Sequence, residues 1–209
     1  MRLPEPPLLV ITDRRQARRP LADIIEGVAA AGCRWFSIRE KDLPADEQIA
    51  LTKALVPITR RFGASLTLHG APEIAHAAGL DGVHLPAGAA TADARRVLGP
   101  ERLVGISIHS VAEAGGLDPA LVDYAIAGPA YPTESKAGYG PALGAEGIAA
   151  IVAGARVPIL AIGGIEAEKI RELTQARIAG IAVMGSIMRA EAPGAEIRAL
   201  LAAQLHLAS

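Results

Sequence analysis

Two stretches near the C-terminus decide the fold: Ile159-Leu160-Ala161-Ile162-Gly163-Gly164-Ile165 (ILAIGGI) and Ile181-Ala182-Val183-Met184-Gly185-Ser186-Ile187 (IAVMGSI). Each is a short aliphatic run without alternating polarity that stops at glycine, the pattern of a strand buried on both faces. Runs of the same kind recur upstream at residues 8–12, 34–39, 65–68, 82–85, 104–107 and 124–127, which makes eight. Between and after them lie Ala/Leu-rich segments with helical spacing, at 20–32, 44–62, 72–79, 91–98, 110–115, 145–153, 166–175 and from 193 onward. Several of these open on proline or an acidic first turn and close near glycine. Strands alternating with helices predict a parallel sheet, and eight such units close into an α/β TIM (β/α)8 barrel. An open doubly wound sheet would ordinarily carry a glycine-rich turn after its first strand, where this chain reads Ile11-Thr12-Asp13-Arg14. The expectation is one barrel domain over residues 1–209.

The composition fits that expectation. Half of the residues are hydrophobic (51%) and 21% are charged, which argues against disorder. A net charge of -1 and 3% aromatic residues give no footing for nucleic-acid binding. The lone Cys33 excludes an internal disulfide framework and fits a reducing compartment. No run approaches the ~18 apolar residues of a membrane helix, and the N-terminal apolar run is too short for a signal-peptide core. A soluble, cytoplasmic protein with no membrane or nucleic-acid partner is expected, with homodimer pairing as its assembly. The basic run Asp13-Arg14-Arg15-Gln16-Ala17-Arg18-Arg19 reads as a solvated loop.

In a TIM barrel the chemistry sits at the C-terminal ends of the strands. Glycine after the last two strands lets backbone N–H groups approach an anion, so Gly163, Gly164, Gly185 and Ser186 form a candidate phosphate cradle. Ser37-Ile38-Arg39-Glu40-Lys41-Asp42 ends the second strand, and alternation puts Ser37, Arg39 and Lys41 on one face, with Ile38 and Glu40 on the outward face. Arg39 and Lys41 would thereby aim two cations at the mouth. After the sixth strand, Thr133 and Ser135 offer hydroxyls and Lys136 a mobile charge. His109 closes the fifth strand, where an imidazole can act as acid or base. His69 and His84 end the third and fourth strands, but a three-histidine metal cluster lacks the carboxylates or helical spacing that such sites usually add. His76 and His206 read as surface residues.

With those motifs in place, the chain resembles the thiamin phosphate synthase and TenI superfamily over essentially its whole length. The resemblance is carried by LVITD at 9–13, IREK at 38–41, DGVHL at 81–85, SIHS at 107–110, GP at 128–129, YPTESK at 131–136, AIGGI at 161–165 and AVM at 182–184. It implies a TIM barrel acting on a small phosphorylated heterocycle in thiamin biosynthesis. In the synthase branch, magnesium assists the coupling of a pyrimidine pyrophosphate to a thiazole phosphate. There the third strand typically ends in Asn-Asp, an acidic residue follows the fourth, and Gln stands where this chain has Ser37. Here the third strand ends Leu68-His69-Gly70, and Pro86-Ala87-Gly88-Ala89-Ala90 follows the fourth. Neither imidazole nor glycine supplies the carboxylate oxygen that magnesium prefers. The expectation is therefore a TenI-like thiazole tautomerase with no metal cofactor. In it His109 moves the proton, Arg39 and Lys41 serve the reacting anion, and Ser37, His69, Thr133, Ser135 and Lys136 contact substrate. The alternatives are a synthase that uses Mg2+ through other groups, such as Asp13 or Asp42, and a non-catalytic phosphate-ligand regulator.

Overall fold

The structure is a computed structural model that describes residues 3–133 and 141–205. Eight parallel strands close into a barrel in chain order: β1 Leu8–Ile11, β2 Trp35–Ile38, β3 Ser65–His69, β4 Gly82–Leu85, β5 Leu103–Ile108, β6 Tyr124–Ala127, β7 Ile159–Ile162 and β8 Gly180–Val183, with β8 pairing back onto β1. The helices are α1 Leu21–Ala30, α2 Ala45–Arg61, α3 Pro72–Ala77, α4 Thr91–Leu98, α5 Val111–Gly115, α6 Gly144–Gly154, α7 Ala167–Gln175, α8 Gly185–Met188 and α9 Pro193–Leu205. The expected barrel is thus observed. The short α8, directly after β8, is an addition to the expected elements. Among the described residues, no helix is long and apolar enough to cross a membrane.

The alternation of each strand divides the apolar residues into two cores. Leu8, Val10, Phe36, Ile38, Leu66 and Leu68 face outward into the layer shared with the helices. Leu9, Ile11, Trp35, Leu103, Tyr124, Ile126, Leu160 and Ala182 fill the barrel interior. The two largest interior rings, Trp35 and Tyr124, meet edge to face with centroids 4.8 Å apart. Their bulk requires a small neighbour: a Cβ on Gly105 would lie 2.1 Å from Tyr124 Cζ. The lower barrel is therefore a packed core, and the upper end opens onto a pocket.

Polar residues enter the interior toward that upper end. Ser37 and Thr67 are fully buried, and His69 and His84 lie side by side on β3 and β4 with ring centroids 4.6 Å apart. His84 in turn faces Tyr124 at 5.6 Å. The interior thus grades from a dry, aromatic base to an imidazole and hydroxyl layer beneath the mouth.

Candidate functional site

The mouth opens onto a pocket of about 400 Å³ lined from all sides of the barrel. Of the residues singled out in the sequence, it brings together Arg39, His69, His84, His109, Thr133, Gly163, Gly164, Gly185 and Ser186. Ser135 and Lys136 lie outside the described residues. Ser37 is not among the lining residues: it sits one pleat below Arg39, fully buried. Lys41 is also not among them and is exposed, a departure from the alternation that would have it share the mouth with Arg39. Its proton affinity is nonetheless lowered, first by partial burial and then by the charge of Arg39, so the two cations do sense each other.

His109 is held from two directions. Ser110 caps α5 by accepting from the Glu113 backbone N–H at 3.2 Å, the reach expected of Ser-x-x-Glu at a helix start. The Glu113 carboxylate closes the loop by accepting from Ser110 Oγ at 3.1 Å and from the His109 backbone N–H at 2.6 Å. Burial pushes the Glu113 carboxyl upward, but these bonds outweigh it and the net shift is downward. The imidazole Nδ1 lies 2.7 Å from the Gly128 carbonyl oxygen. Below the imidazole, His84 Nε2 and Ser107 Oγ are within hydrogen-bonding distance at 2.9 Å, and both line the floor.

The glycines after β7 have a structural role beside any ligand role. Gly163 and Gly164 adopt φ of +99° and +61°, a region that disfavours side chains. The loop after β6 also docks on them: Tyr131 N–H donates to the Gly163 carbonyl at 3.0 Å, and a Cβ on Gly164 would lie 2.5 Å from the Pro132 carbonyl oxygen. Glycine here lets the loops after β6 and β7 pack together at the pocket edge. After the neighbouring strand β8, Gly185 begins α8 and is buried, while Ser186 is exposed.

Three residues have roles that the sequence alone does not reveal. Arg189, at the end of α8, lines the pocket beside Gly185 and Ser186 and donates to the Gln16 side chain. Glu40, expected on the outward face toward helices or solvent, is 2% exposed and accepts from Thr12 Oγ1 and Arg14. Arg14 does not behave as part of a solvated basic loop. Its guanidinium forks onto both Asp42 carboxylate oxygens at 2.7 Å, while Arg15, Arg18 and Arg19 are exposed as expected. Arg14 is tens of positions from Glu40 and Asp42 in the sequence, so no local signal marks their pairing.

Among the described residues, the mouth offers few of the carboxylate oxygens that magnesium prefers. Among the described residues lining the pocket, Glu166 is the single carboxylate, and the ends of β3 and β4 present imidazoles. Asp42 is engaged by Arg14, and among the described residues no group of three or more His, Cys, Asp or Glu is placed to hold a metal.

The family model described as thiamine monophosphate synthase matches residues 8–187. A protein of Geobacter sulfurreducens is 42% identical over 197 residues, covering 93% of this chain and 92% of its own. The thiamine-phosphate synthase of Roseiflexus sp. is 37% identical over 193 residues, covering 91% of this chain and 82% of its own. The solved structure of a thiamine phosphate pyrophosphorylase from Pyrococcus furiosus superposes with a TM-score of 0.86 at 28% identity, covering 97% of this chain and 96% of that one.

Proposed function

The chain belongs to the thiamine monophosphate synthase family, and from that premise we propose that this member acts on a phosphorylated thiazole by proton transfer without a metal, as a thiazole tautomerase. The observation that carries the proposal is the presentation of His109. Its Nδ1 donates to the Gly128 carbonyl, its Nε2 is left as the basic site, and the ring lines a pocket whose β3 end offers the His69 imidazole where coupling chemistry would want a carboxylate, while residues 86–90 after β4 carry none.

The roles follow from the charges the substrate brings. The phosphate sits against Gly163, Gly164, Gly185 and Ser186, with Arg189 supplying the positive charge beside them. The substrate carboxylate pairs with Arg39, whose planar fork fixes orientation better than an ammonium would. Lys41 adds charge from outside the pocket wall, and Thr133 offers a hydroxyl from the loop after β6. His109 Nε2 removes a ring proton, and the imidazolium returns a proton to the conjugated system at the position that completes aromatisation. His109 ends the cycle unchanged.

A second reading is the magnesium-dependent coupling that makes thiamin phosphate. The names of the relatives favour it: the Roseiflexus protein is named a synthase and the Pyrococcus protein a pyrophosphorylase, and neither is named a tautomerase. The chemistry of the pocket lining weighs the other way, because Glu166 is the one carboxylate among its described residues. Two assays on one preparation separate the readings: tautomerisation of thiazole phosphate carboxylate in the presence of EDTA, and thiamin phosphate formation from both half-molecules with and without Mg2+. EDTA-resistant tautomerisation supports the proposal. Thiamin phosphate formed only with Mg2+, with no tautomerisation, establishes the second reading. Binding without either turnover would indicate a phosphate-ligand regulator.

A further inference from the structure

Thr12 follows β1 directly and is fully buried, and its hydroxyl is used twice. It donates to Glu40 Oε1 at 2.7 Å and accepts from the Arg39 backbone N–H at 3.0 Å. Glu40, whose side chain is 1% exposed, accepts three further bonds from Arg14. The Arg14 backbone N–H lies 3.1 Å and 3.0 Å from its two oxygens, and the guanidinium lies 3.2 Å away. Arg14 then clamps Asp42, two residues beyond Glu40. The first loop is thereby tied to the end of β2 at and beyond Arg39, the residue of this stretch whose side chain enters the pocket.

A carboxylate buried this deeply costs several kcal/mol unless its partners compensate, so a merely solvated turn does not account for it. The proton affinity of Lys41 is lowered first by partial burial and then by the charge of Arg39, so the clamp holds two like charges within reach of one another. We propose that Thr12 and Glu40 are positioning residues for Arg39, fixing its backbone so that the guanidinium is presented to the anionic substrate. This positioning role rests on the proposed function only in taking Arg39 to meet that anion, and it holds for either reaction.

The test is a double-mutant cycle read by calorimetric binding of thiazole phosphate carboxylate. Thr12→Val keeps the shape and removes both hydroxyl bonds, and Thr12→Ser restores them. The expected result is a loss of affinity of about tenfold in Thr12→Val. Thr12→Ser should come within about twofold of the parent, and Thr12→Val/Arg39→Ala should be no weaker than Arg39→Ala alone. Additive losses would show that Thr12 acts on the ligand by another route and would overturn the proposal. A second measurement needs no ligand: hydrogen exchange at the Arg39 amide should speed up in Thr12→Val and stay at the parent rate in Thr12→Ser. If the parent protein binds no thiazole phosphate carboxylate, the functional proposal falls on its own. Unchanged exchange at Arg39 in Thr12→Val would still overturn the positioning role.

Discussion

The imidazole of His109 donates its Nδ1–H to the carbonyl oxygen of Gly128 across 2.7 Å. A carbonyl can only accept, so this bond selects the tautomer with the proton on Nδ1 and leaves the Nε2 lone pair available. Replacing His109 by Asn keeps a polar side chain and removes the titrating ring. Turnover should fall by about 10²–10⁴ while the Kd for thiazole phosphate stays within about threefold, as general acid–base catalysis requires. Steady-state rates and calorimetry on the same variant check both numbers.

Lys41 gives the site a pH signature. Its folded-state proton affinity is lowered by partial burial and by Arg39, so the protonated lysine disfavours the folded, unliganded state. Stability at this residue therefore rises as pH climbs through its lowered value toward that of an ordinary lysine. An incoming anion offsets the repulsion, so binding takes up a proton and weakens over the same window. As pH rises toward the 10.5 of an ordinary lysine, phosphate keeps its charge, and its affinity should fall by about three- to tenfold. In Lys41→Arg, whose guanidinium does not titrate there, calorimetric titrations should give a flat profile.

The Tyr124 hydroxyl lies in the barrel interior with no hydrogen-bond partner among the described residues. Removing an unsatisfied buried hydroxyl should cost nothing, so Tyr124→Phe should be neutral or stabilising by up to about 1 kcal/mol. Gly105→Ala meets the same ring from the other side. The 2.1 Å approach to Tyr124 Cζ should destabilise by about 1–3 kcal/mol or more. Urea unfolding of the two variants tests the claim that glycine on β5 is set by the size of Tyr124.

Cys33 is fully buried, with Sγ near the carbonyl oxygens of Leu8 and Trp35 at 3.5 Å and 3.4 Å. Burial pushes its thiol up to about 12, so little thiolate exists near neutral pH. Folded protein at about pH 8 should resist iodoacetamide over hours and react only after denaturation. Mass spectrometry of the alkylated peptide gives the answer.

The barrel is legible in the sequence because a parallel strand buried on both faces leaves an uninterrupted aliphatic run. The runs at 82–85, 124–127 and 159–162 coincide with β4, β6 and β7. The pocket residues at strand ends, such as Arg39 and His109, follow from the same alternation. What escapes depends on loop geometry. Alternation puts Glu40 outward, but the β1 loop folds over that position and supplies Thr12 and Arg14 as partners. Arg189 escapes because α8 is a single short turn that carries it back to the mouth. Ser37 has the expected orientation but too little depth of access, since the next inward position, Arg39, stands above it.

The central claim is that this pocket moves a proton on a phosphorylated thiazole without a metal. The most direct measurement is the conversion of thiazole phosphate carboxylate to its aromatic tautomer, followed by ultraviolet absorbance in EDTA. A metal-free tautomerase should show turnover that EDTA leaves unchanged and that His109→Asn lowers by at least about 10². No conversion in EDTA, with thiamin phosphate formed at enzymatic rates only when Mg2+ and both half-molecules are supplied, would contradict the claim.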